Sequence, residues 1–387
     1  ADKFSALVDV LANHPDGLPN IRIAVTSTDV GGGSANNGCG GNGDDGRFLG
    51  ATCLVPGNSF IESVSNDGAG RSENFDGTLA DTFACMADLG TRGCGFEQPL
   101  EAMRRALSGP QGQSFLREEA ALAVIIVTDE DDCSAHDNTI FDGARRELDD
   151  PLGPAKSFRC FEFGVTCDGV EDPRAPGPRE NCRPMEESPY LHDVNEYVAF
   201  LQGLKPFPEQ VMVATISGKL DPLAVISKFD SGQDLDFVAL DFSCTEEDAE
   251  AVPPIRLHAF AQAFSGRGTE AIICDRDLTQ AMEGIAQHIV EQQAPCVQGA
   301  LSDTNDDLEG LQPECVLAEQ RLGEKERILP LCDAPETPGS SSRLPCFILE
   351  PQDHCSDYPT GLSPVLVYAE GESIPPYTGI ELSCLGE

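Results

Sequence analysis

The sequence predicts an α/β protein with a doubly wound, mostly parallel β-sheet and a small, disulfide-rich β region at its carboxyl end. Three observations lead to this fold class: a wholly apolar strand, a regular alternation of strand-like and helix-like segments, and a change in composition near residue 294. The apolar strand covers residues 121–127, which include no polar side chain. We expect both of its faces to be buried, as in the centre of a parallel sheet covered by helices.

The first part of the chain opens on a helical pattern. Apolar side chains recur on one helical face within residues 4–11, so we expect a helix there. A strand is predicted at residues 21–25, a glycine-rich loop at 31–46 and a hairpin partner strand at 48–55. Since the sequence starts inside a helical pattern, we also expect that further residues precede Ala1.

The segments that follow alternate between helix and strand. The predicted helices cover residues 79–89, 100–107, 191–201, 255–264 and 278–289, and the predicted strands cover residues 121–128, 211–216 and 271–274. Such alternation is typical of a doubly wound sheet. Right-handed crossovers place the carboxyl ends of parallel strands at one edge, where we expect Asp29, the glycine-rich loop and residues 129–132 to meet.

The pattern divides the chain into two predicted domains. Residues 1–293 form the α/β domain, which is interrupted by an insertion rich in Pro, Gly and Cys at about residues 149–188. Residues 294–387 form a β-rich appendage with six cysteines and short strands at 362–369 and 377–384. A hydrophobic core this small needs disulfide bonds for its stability, and the cysteines can form them.

The sixteen cysteines predict disulfides. No pair shows Cys-x-x-Cys spacing, which argues against zinc and iron–sulfur sites. Disulfides persist in oxidising compartments, so we expect an extracytoplasmic protein, either secreted or anchored to the outer surface. Spacing does not fix the connectivity, although Cys39–Cys53 and Cys85–Cys94 would close short local loops.

The chain is strongly acidic, with 66 Asp and Glu against 25 Lys and Arg and a formal net charge of −41. Such a surface repels nucleic acid and anionic membranes and attracts cations and basic partners. Adaptation to saline surroundings or plain solubility would explain the same charge. No apolar run reaches the roughly 20 residues that span a bilayer, so no transmembrane segment is predicted.

The acidic turn after the apolar strand is the predicted functional site. Ligands of open α/β sheets bind at the carboxyl ends of the strands, where Asp129, Glu130, Asp131 and Asp132 follow one another. Adjacent carboxylates repel one another, and Mg²⁺ and Ca²⁺ prefer oxygen ligands, so we expect a divalent cation at Asp129. The alternative is a solvated turn carboxylate or a helix N-cap.

Three further carboxylates have two interpretations each. Asp132 could hold a second cation or orient ligand waters, although an ordinary surface charge is the simpler interpretation. Glu97 could bind the cation or be stabilised by the amino end of a helix. Asp29 could contribute to a Ca²⁺ site in the glycine-rich loop, whose spacing lacks the EF-hand pattern.

Residues 23–29, 93–102 and 124–129 together resemble the von Willebrand factor A-like domain, especially its Cys-rich forms in bacterial secreted and lipid-anchored proteins. The resemblance implies a Rossmann-like topology with a divalent cation at a metal-ion-dependent adhesion site. In that family the ligands are an Asp-x-Ser-x-Ser motif, a loop Thr and the Asp of a Thr-Asp turn. Asp129 matches the last of these, and Thr91 and Glu97 fall near the loop position.

The Asp-x-Ser-x-Ser motif does not occur in this sequence. The family places it on a strand immediately before the first helix, and this chain begins within that helix. The resemblance therefore implies that the first strand is missing from this chain and that the remaining ligands lie upstream of Ala1.

The expected function is a non-enzymatic, cation-dependent binding or adhesion module outside the cell. A cation with one open coordination position would hold a carboxylate of a protein or surface ligand, and a basic patch on that partner would suit the acidic surface. No Gly-x-Ser-x-Gly, His-Glu-x-x-His or phosphate-loop motif indicates an enzyme. The first alternative is a structural subunit of an envelope or extracellular assembly without a working metal site. A metal-dependent hydrolase using Asp129 and Glu130 is the second.

Overall fold

The computed structural model describes most of the 387 residues. It covers residues 5–12, 18–33, 39–66, 70–90, 93–118, 120–144, 146–206, 208–246, 249–264, 266–275, 278–293, 296–297, 299–302, 313–321, 326–332, 344–352, 355, 358–369 and 378–384.

Eight α-helices and eighteen strands lie within these residues. The helices are α1 Ser5–Ala12, α2 Leu79–Ala87, α3 Pro99–Ser108, α4 Pro110–Phe115, α5 Phe158–Gly164, α6 Val194–Gln202, α7 Ile255–Gln262 and α8 Thr279–Gln293. The strands are β1 Ile21–Ile23, β2 Ile61–Ser65, β3 Arg71–Glu73, β4 Leu122–Val127, β5 Val165–Thr166, β6 Gly177–Pro178, β7 Arg183–Pro184, β8 Val211–Ser217, β9 Ala224–Asp230, β10 Leu235–Leu240, β11 Cys244–Glu246, β12 Ala249–Ala251, β13 Gly268–Ile272, β14 Cys315–Arg321, β15 Arg327–Pro330, β16 Cys346–Pro351, β17 Leu362–Val367 and β18 Thr378–Cys384.

A parallel sheet of order β13-β8-β4 forms the centre of the α/β part. Its central strand β8 is buried at every position. Helices α1, α2 and α8 pack on the face that carries Ile216, and α3, α6 and α7 pack on the face that carries Val213. The predicted parallel sheet is therefore confirmed, with strands and covering helices close to their predicted positions.

A second sheet, antiparallel and of order β1-β2-β3, carries the first predicted strand. The hairpin partner predicted at residues 48–55 is wrong, because Ala51–Cys53 form a 3-10 turn instead. Gly50 adopts φ 76°, and a β-carbon there would lie 2.7 Å from the α-carbon of Met86. This close approach to α2, together with the Cys53–Cys85 disulfide, fixes the segment against a helix rather than in a sheet.

The prediction that both faces of the strand at residues 121–127 are buried is wrong. In β4 only Leu122 and Ile126 are buried, and the Val127 side chain is 36 % exposed. The reason is positional: among the described residues β4 hydrogen-bonds to β8 on one side only, so it is an edge strand. A cavity of about 1320 Å³ lies along its other side.

The carboxyl-terminal region is β-rich and disulfide-bonded, as predicted. Its strands form a sheet of order β15-β14-β18 and a β16-β17 pair. A small cluster of buried side chains, among them Leu317, Leu329 and Phe347, joins them. Three disulfides reinforce this cluster: Cys296–Cys355, Cys315–Cys384 and Cys332–Cys346.

All sixteen cysteines pair into eight disulfides. This density indicates an extracytoplasmic protein, since reducing compartments do not maintain such bonds. The pairing suggested by local spacing is wrong: the bonds are Cys39–Cys94 and Cys53–Cys85. Both bonds cross between elements that are distant in sequence and adjacent in space. No helix in the described part of the chain is long and apolar enough to cross a membrane.

Candidate functional site

The candidate site lies at the carboxyl edge of the parallel sheet, which we call the rim. The rim comprises residues 26–31 after β1, residues 93–98 before α3 and residues 128–134 after β4. It also includes residues 243–246 and 249–252, which contain the paired strands β11 and β12. Hydrogen bonds join these loops: Gln98 N donates to Thr28 O at 3.0 Å, and Val252 N donates to Asp129 O at 3.0 Å. The sequence-based expectation that these loops meet at one edge agrees with this arrangement.

Three disulfides tie the rim loops to the body of the protein. Cys39–Cys94 joins the glycine-rich loop to the segment before α3. Cys133–Cys160 joins the acidic turn to α5, and Cys244–Cys274 joins the β11-β12 hairpin to the residues after β13. The rim is thus a set of covalently fixed loops.

The four acidic residues after β4 form two pairs that have different partners. Asp132 is fully buried, and its carboxylate contacts the equally buried guanidinium of Arg256, with Nη2 at 3.1 Å. The same carboxylate accepts hydrogen bonds from the Leu100 N–H at 3.1 Å and from the Ser134 hydroxyl at 2.5 Å. Asp132 therefore binds the amino end of α3 and a core arginine, and both of its carboxylate oxygens have protein partners.

Asp131 also accepts hydrogen bonds at the start of a helix. Its carboxylate accepts hydrogen bonds from the N–H groups of Arg256 at 3.0 Å and Leu257 at 3.1 Å, at the amino end of α7. Burial raises the pKa of Asp131 to about 6, and these hydrogen bonds and the Arg256 charge oppose the shift. The helix end offers a favourable place for a negative charge.

Asp129 and Glu130 lie close to Glu97. Asp129 is exposed, whereas Glu97 and Glu130 are partly buried. Thr128 Oγ1 donates to Glu97 Oε2 at 2.5 Å, which brings the Glu97 carboxylate to the end of β4. We call Glu97, Asp129 and Glu130 the rim carboxylates. Among the described residues, no Lys or Arg forms an ion pair with any of them.

Burial and mutual repulsion change the titration of this group. Burial, and then the charges of Glu97 and Asp129, raise the pKa of Glu130 to about 8, while a hydrogen bond with Ser157 opposes the shift. Burial also raises the pKa of Glu97, with the Thr128 hydrogen bond opposing and the Asp129 charge adding to the rise. Glu130 thus holds its proton at a pH where ordinary carboxylates are ionised, and the pKa of Glu97 shifts in the same direction.

We expect Glu130 to make stability fall as the pH rises. The native state keeps its proton up to about pH 8, whereas the unfolded chain releases it near 4.5. The contribution of Glu130 to the free energy of unfolding is complete below about pH 4.5 and is lost as the pH approaches 8. Glu130→Gln cannot ionise, so its advantage in unfolding free energy over the wild type should grow across this range, by about 1.4 kcal/mol for each pH increment of one. Urea unfolding between about pH 5 and 9 measures this.

The control for the pH experiment is Glu171→Gln, which removes the same charge at an exposed position of the insertion. This variant should change the unfolding free energy equally at all pH values apart from the general relief of the −41 net charge. Parallel pH profiles for Glu130→Gln and Glu171→Gln would contradict the assignment of a raised pKa to Glu130.

Asp29, another candidate ligand, has its hydrogen-bond partners in the glycine-rich loop. The Asp29 carboxylate accepts a hydrogen bond from Gly31 N at 3.0 Å, and its carbonyl accepts one from Asp44 N at 2.8 Å. Asp44 in turn accepts a hydrogen bond from Ser27 Oγ at 2.7 Å. Asp29 thus organises the glycine-rich loop at the same edge. Thr91 lies outside the residues that the structure describes.

Sequence reasoning identified Asp129 and Glu97 but gave Glu130 only a part in the hydrolase alternative. The signal for Glu130 was present, since it closely follows an apolar strand. The Asp132–Arg256 pair was missed because its members are 124 residues apart. A single arginine in a helical pattern does not indicate which carboxylate it pairs with.

Comparison of the chain with protein-family models, with curated proteins and with solved structures finds no match in any of the three. The resemblance to the von Willebrand factor A-like domain therefore stays a prediction. Within the described part of the chain, no group of three or more His, Cys, Asp or Glu side chains is already arranged to hold a metal ion.

Proposed function

We propose that the protein is an extracytoplasmic binding or adhesion module that holds its partner through a divalent cation at the rim. The observation that carries this proposal is the convergence of Glu97, Asp129 and Glu130 at the end of β4, without a cationic side chain paired to them among the described residues. Repulsion within such a group is relieved either by protons or by a bound cation. The proposed activity is binding rather than catalysis.

The donor set fits a hard cation. Carboxylate oxygens are the ligands that Mg²⁺ and Ca²⁺ prefer. Asp129, the exposed member, would bind the cation from the solvent side, and Glu97 and Glu130 would supply further negative charge beside it. The bound cation would supply a strong, directional contact for one carboxylate oxygen of a partner. Because no ligand group is fully assembled among the described residues, one or more of these side chains must turn toward the cation on binding.

The overall charge supports the same kind of partner. A net charge of −41 raises the local concentration of cations around the molecule. It also favours proteins or surfaces with a basic patch around the contacting carboxylate, and it disfavours nucleic acid. The fixed rim loops would present the site in one arrangement. Anchoring of the protein to an outer surface is part of this proposal.

We expect millimolar Mg²⁺ or Ca²⁺ to raise the thermal midpoint well beyond matched NaCl. A ligand at 100 times its Kd stabilises a native protein by about 2.7 kcal/mol. Asp129→Asn and Glu97→Gln should remove most of this increment, because each removes a charged oxygen donor. Differential scanning calorimetry measures the midpoints, and Glu171→Gln, which removes an exposed charge in the insertion, should respond to the cations like the wild type.

An equal response to divalent ions and to NaCl of the same ionic strength would contradict the cation site. Such a result would show that the ions only screen the acidic surface. It would favour the second candidate function, a structural subunit of an envelope or extracellular assembly. The observation in favour of that candidate is that the described residues contain no assembled metal-binding group.

A further inference from the structure

A histidine lies at the contact between α3 and α6. His192 precedes α6, and 17 % of its side-chain surface is exposed. One ring nitrogen, Nε2, lies 3.0 Å from Nη2 of Arg104 on α3. The other ring nitrogen, Nδ1, lies 2.9 Å from Oε2 of Glu196 on α6. The imidazole therefore bridges the two helices through polar contacts at both of its nitrogens.

These two neighbours determine which form of the imidazole fits the contact. An arginine side chain only donates hydrogen bonds, and it stays charged. Nε2 of His192 must therefore accept a hydrogen bond from Arg104, so this nitrogen carries no hydrogen. Nδ1 carries the hydrogen and donates to the carboxylate of Glu196. The observed arrangement thus requires the neutral imidazole with its hydrogen on Nδ1.

A hydrogen on Nε2 is incompatible with this arrangement. It would place two N–H donors and two positive charges at the 3.0 Å separation of Arg104 and His192. Arg104 has other partners, because it forms an ion pair with Glu101 at 2.5 Å and lies over the Tyr197 ring, 5.0 Å from its centroid. The carboxylate of Glu196 would hold the charged imidazole. Protonation of His192 therefore separates it from Arg104 and leaves each cation beside a carboxylate.

Charged and titratable groups surround His192 on several elements. They come from α3, α6, α7 and the residues after β4: Glu101, Arg104, Glu196, Tyr197, Arg256, Asp132 and His136. Asp132 and Arg256 form a buried pair of their own. The His136 ring lies 5.5 Å from the His192 ring, so a charge on His136 would add to the repulsion. Glu196 is the carboxylate that contacts the ring and favours its charged form.

The backbone of His192 connects this contact to the rim. His192 N donates to Ser134 O at 3.0 Å, and His192 O accepts from Arg256 Nη2 at 2.8 Å. On α3, Glu101 N donates to Ser134 Oγ at 2.8 Å. Ser134 ends the rim segment that follows β4, and it is held from both α3 and His192. A change in the contact between His192 and α3 therefore acts directly on the rim.

We propose that His192 is a pH-dependent latch between α3 and α6. The neutral ring accepts the Arg104 hydrogen bond and holds the two helices together beside the rim. Protonation of the ring breaks this hydrogen bond, so the contact between the helices loosens and Ser134 loses part of its support. Histidine ordinarily changes its charge between about pH 5 and 8. The rim is then firmly held in neutral surroundings and loosely held in acidic ones. This proposal is independent of cation binding.

Amide hydrogen exchange at about pH 8 and about pH 5 tests the latch, with rates expressed as protection factors to remove the intrinsic effect of pH. We expect protection within residues 101–105 and 194–198 to fall about tenfold or more at the lower pH, because a hydrogen bond to a charged group is lost. His192→Gln offers an amide oxygen to Arg104 and keeps every other titrating group, so its protection should be equal at both pH values. Equal protection in the wild type, or an undiminished fall in His192→Gln, would overturn the proposal.

Two control variants separate the latch from other histidines. His258→Gln removes a ring that contacts Glu270 at 2.8 Å on the other side of α7, and it should retain the wild-type fall in α3 and α6. His136→Gln removes the neighbouring ring and should retain the fall as well. Loss of the fall in either variant would assign the pH dependence to another histidine and overturn the proposal.

A measurement on the wild type needs no variant to fold. Nitrogen NMR of the imidazoles at about pH 8 should show the hydrogen of His192 on Nδ1, with Nε2 as a hydrogen-bond acceptor. At about pH 5 both nitrogens should carry hydrogen. A hydrogen on Nε2 at the higher pH would contradict the Arg104 contact on which the latch depends.

Discussion

Asp132→Ala is expected to destabilise the protein by about 3–5 kcal/mol, the usual cost of leaving one member of a buried ion pair without its partner. Asp132 and Arg256 are both fully buried. After the substitution, the Arg256 guanidinium keeps the His192 carbonyl at 2.8 Å and loses its carboxylate. The Leu100 N–H at the start of α3 loses its acceptor as well. Urea unfolding monitored by circular dichroism measures the change.

The matched control is Asp129→Ala, three residues earlier in the same turn. Asp129 is exposed, so this substitution should stay within about 0.5 kcal/mol of the wild type in the absence of divalent cations. Similar stabilities for Asp132→Ala and the wild type would show that the Asp132–Arg256 contact does not hold the turn. A double variant, Asp132→Ala with Arg256→Met, should recover part of the loss because it removes the isolated charge.

Removing the Cys315–Cys384 disulfide is expected to unfold the carboxyl-terminal β region while leaving the α/β part native. The bond joins the ends of β14 and β18 and spans 69 residues. Loss of a native disulfide from a small domain costs about 2–5 kcal/mol. The core of this region is small, so a loss of this size is a large part of its stability. Hydrogen exchange in β14 and β18 of a Cys315→Ser, Cys384→Ser variant measures the result.

The corresponding control is the pair Cys53→Ser and Cys85→Ser, which removes a disulfide between a 3-10 turn and α2. This variant should accelerate exchange in α2 and leave β14 and β18 protected. If both variants loosened the same amides, the carboxyl-terminal region and the α/β part would unfold as one unit, and the two-domain division drawn from composition would be wrong.

Much of the α/β part could be predicted because its elements carry strong, continuous patterns. The apolar runs of β4 and β8 and the helical spacing of α6 and α8 are each complete within one segment. The β2-β3 hairpin was not predicted, because Arg71–Glu73 is short and polar and its position depends on pairing with another segment. The β9-β10 hairpin was overlooked although its strands contain several apolar residues and a turn with a glycine joins them.

The candidate site was predictable in part for a similar reason. Asp129 follows an apolar strand, and that position alone indicates a sheet edge. The contacts of its neighbours were not predictable. Asp131 binds the amino end of α7 and Asp132 binds the Arg256 side chain, and both partners come more than 120 residues later in the chain. The disulfide pairing depends in the same way on distances in space rather than in sequence.

The covalently fixed rim has a consequence for the kinetics and thermodynamics of any association at this edge. Three disulfides hold the loops after β1, β4 and β13 before a partner arrives. A preorganised surface loses little conformational entropy on complex formation, so more of the contact energy appears as affinity. Association should then approach rigid-body docking, with small backbone changes and a rate governed by electrostatic steering of the acidic surface. Mild reduction of these three disulfides would make the rim loops flexible, and the rim would then bind a partner more weakly.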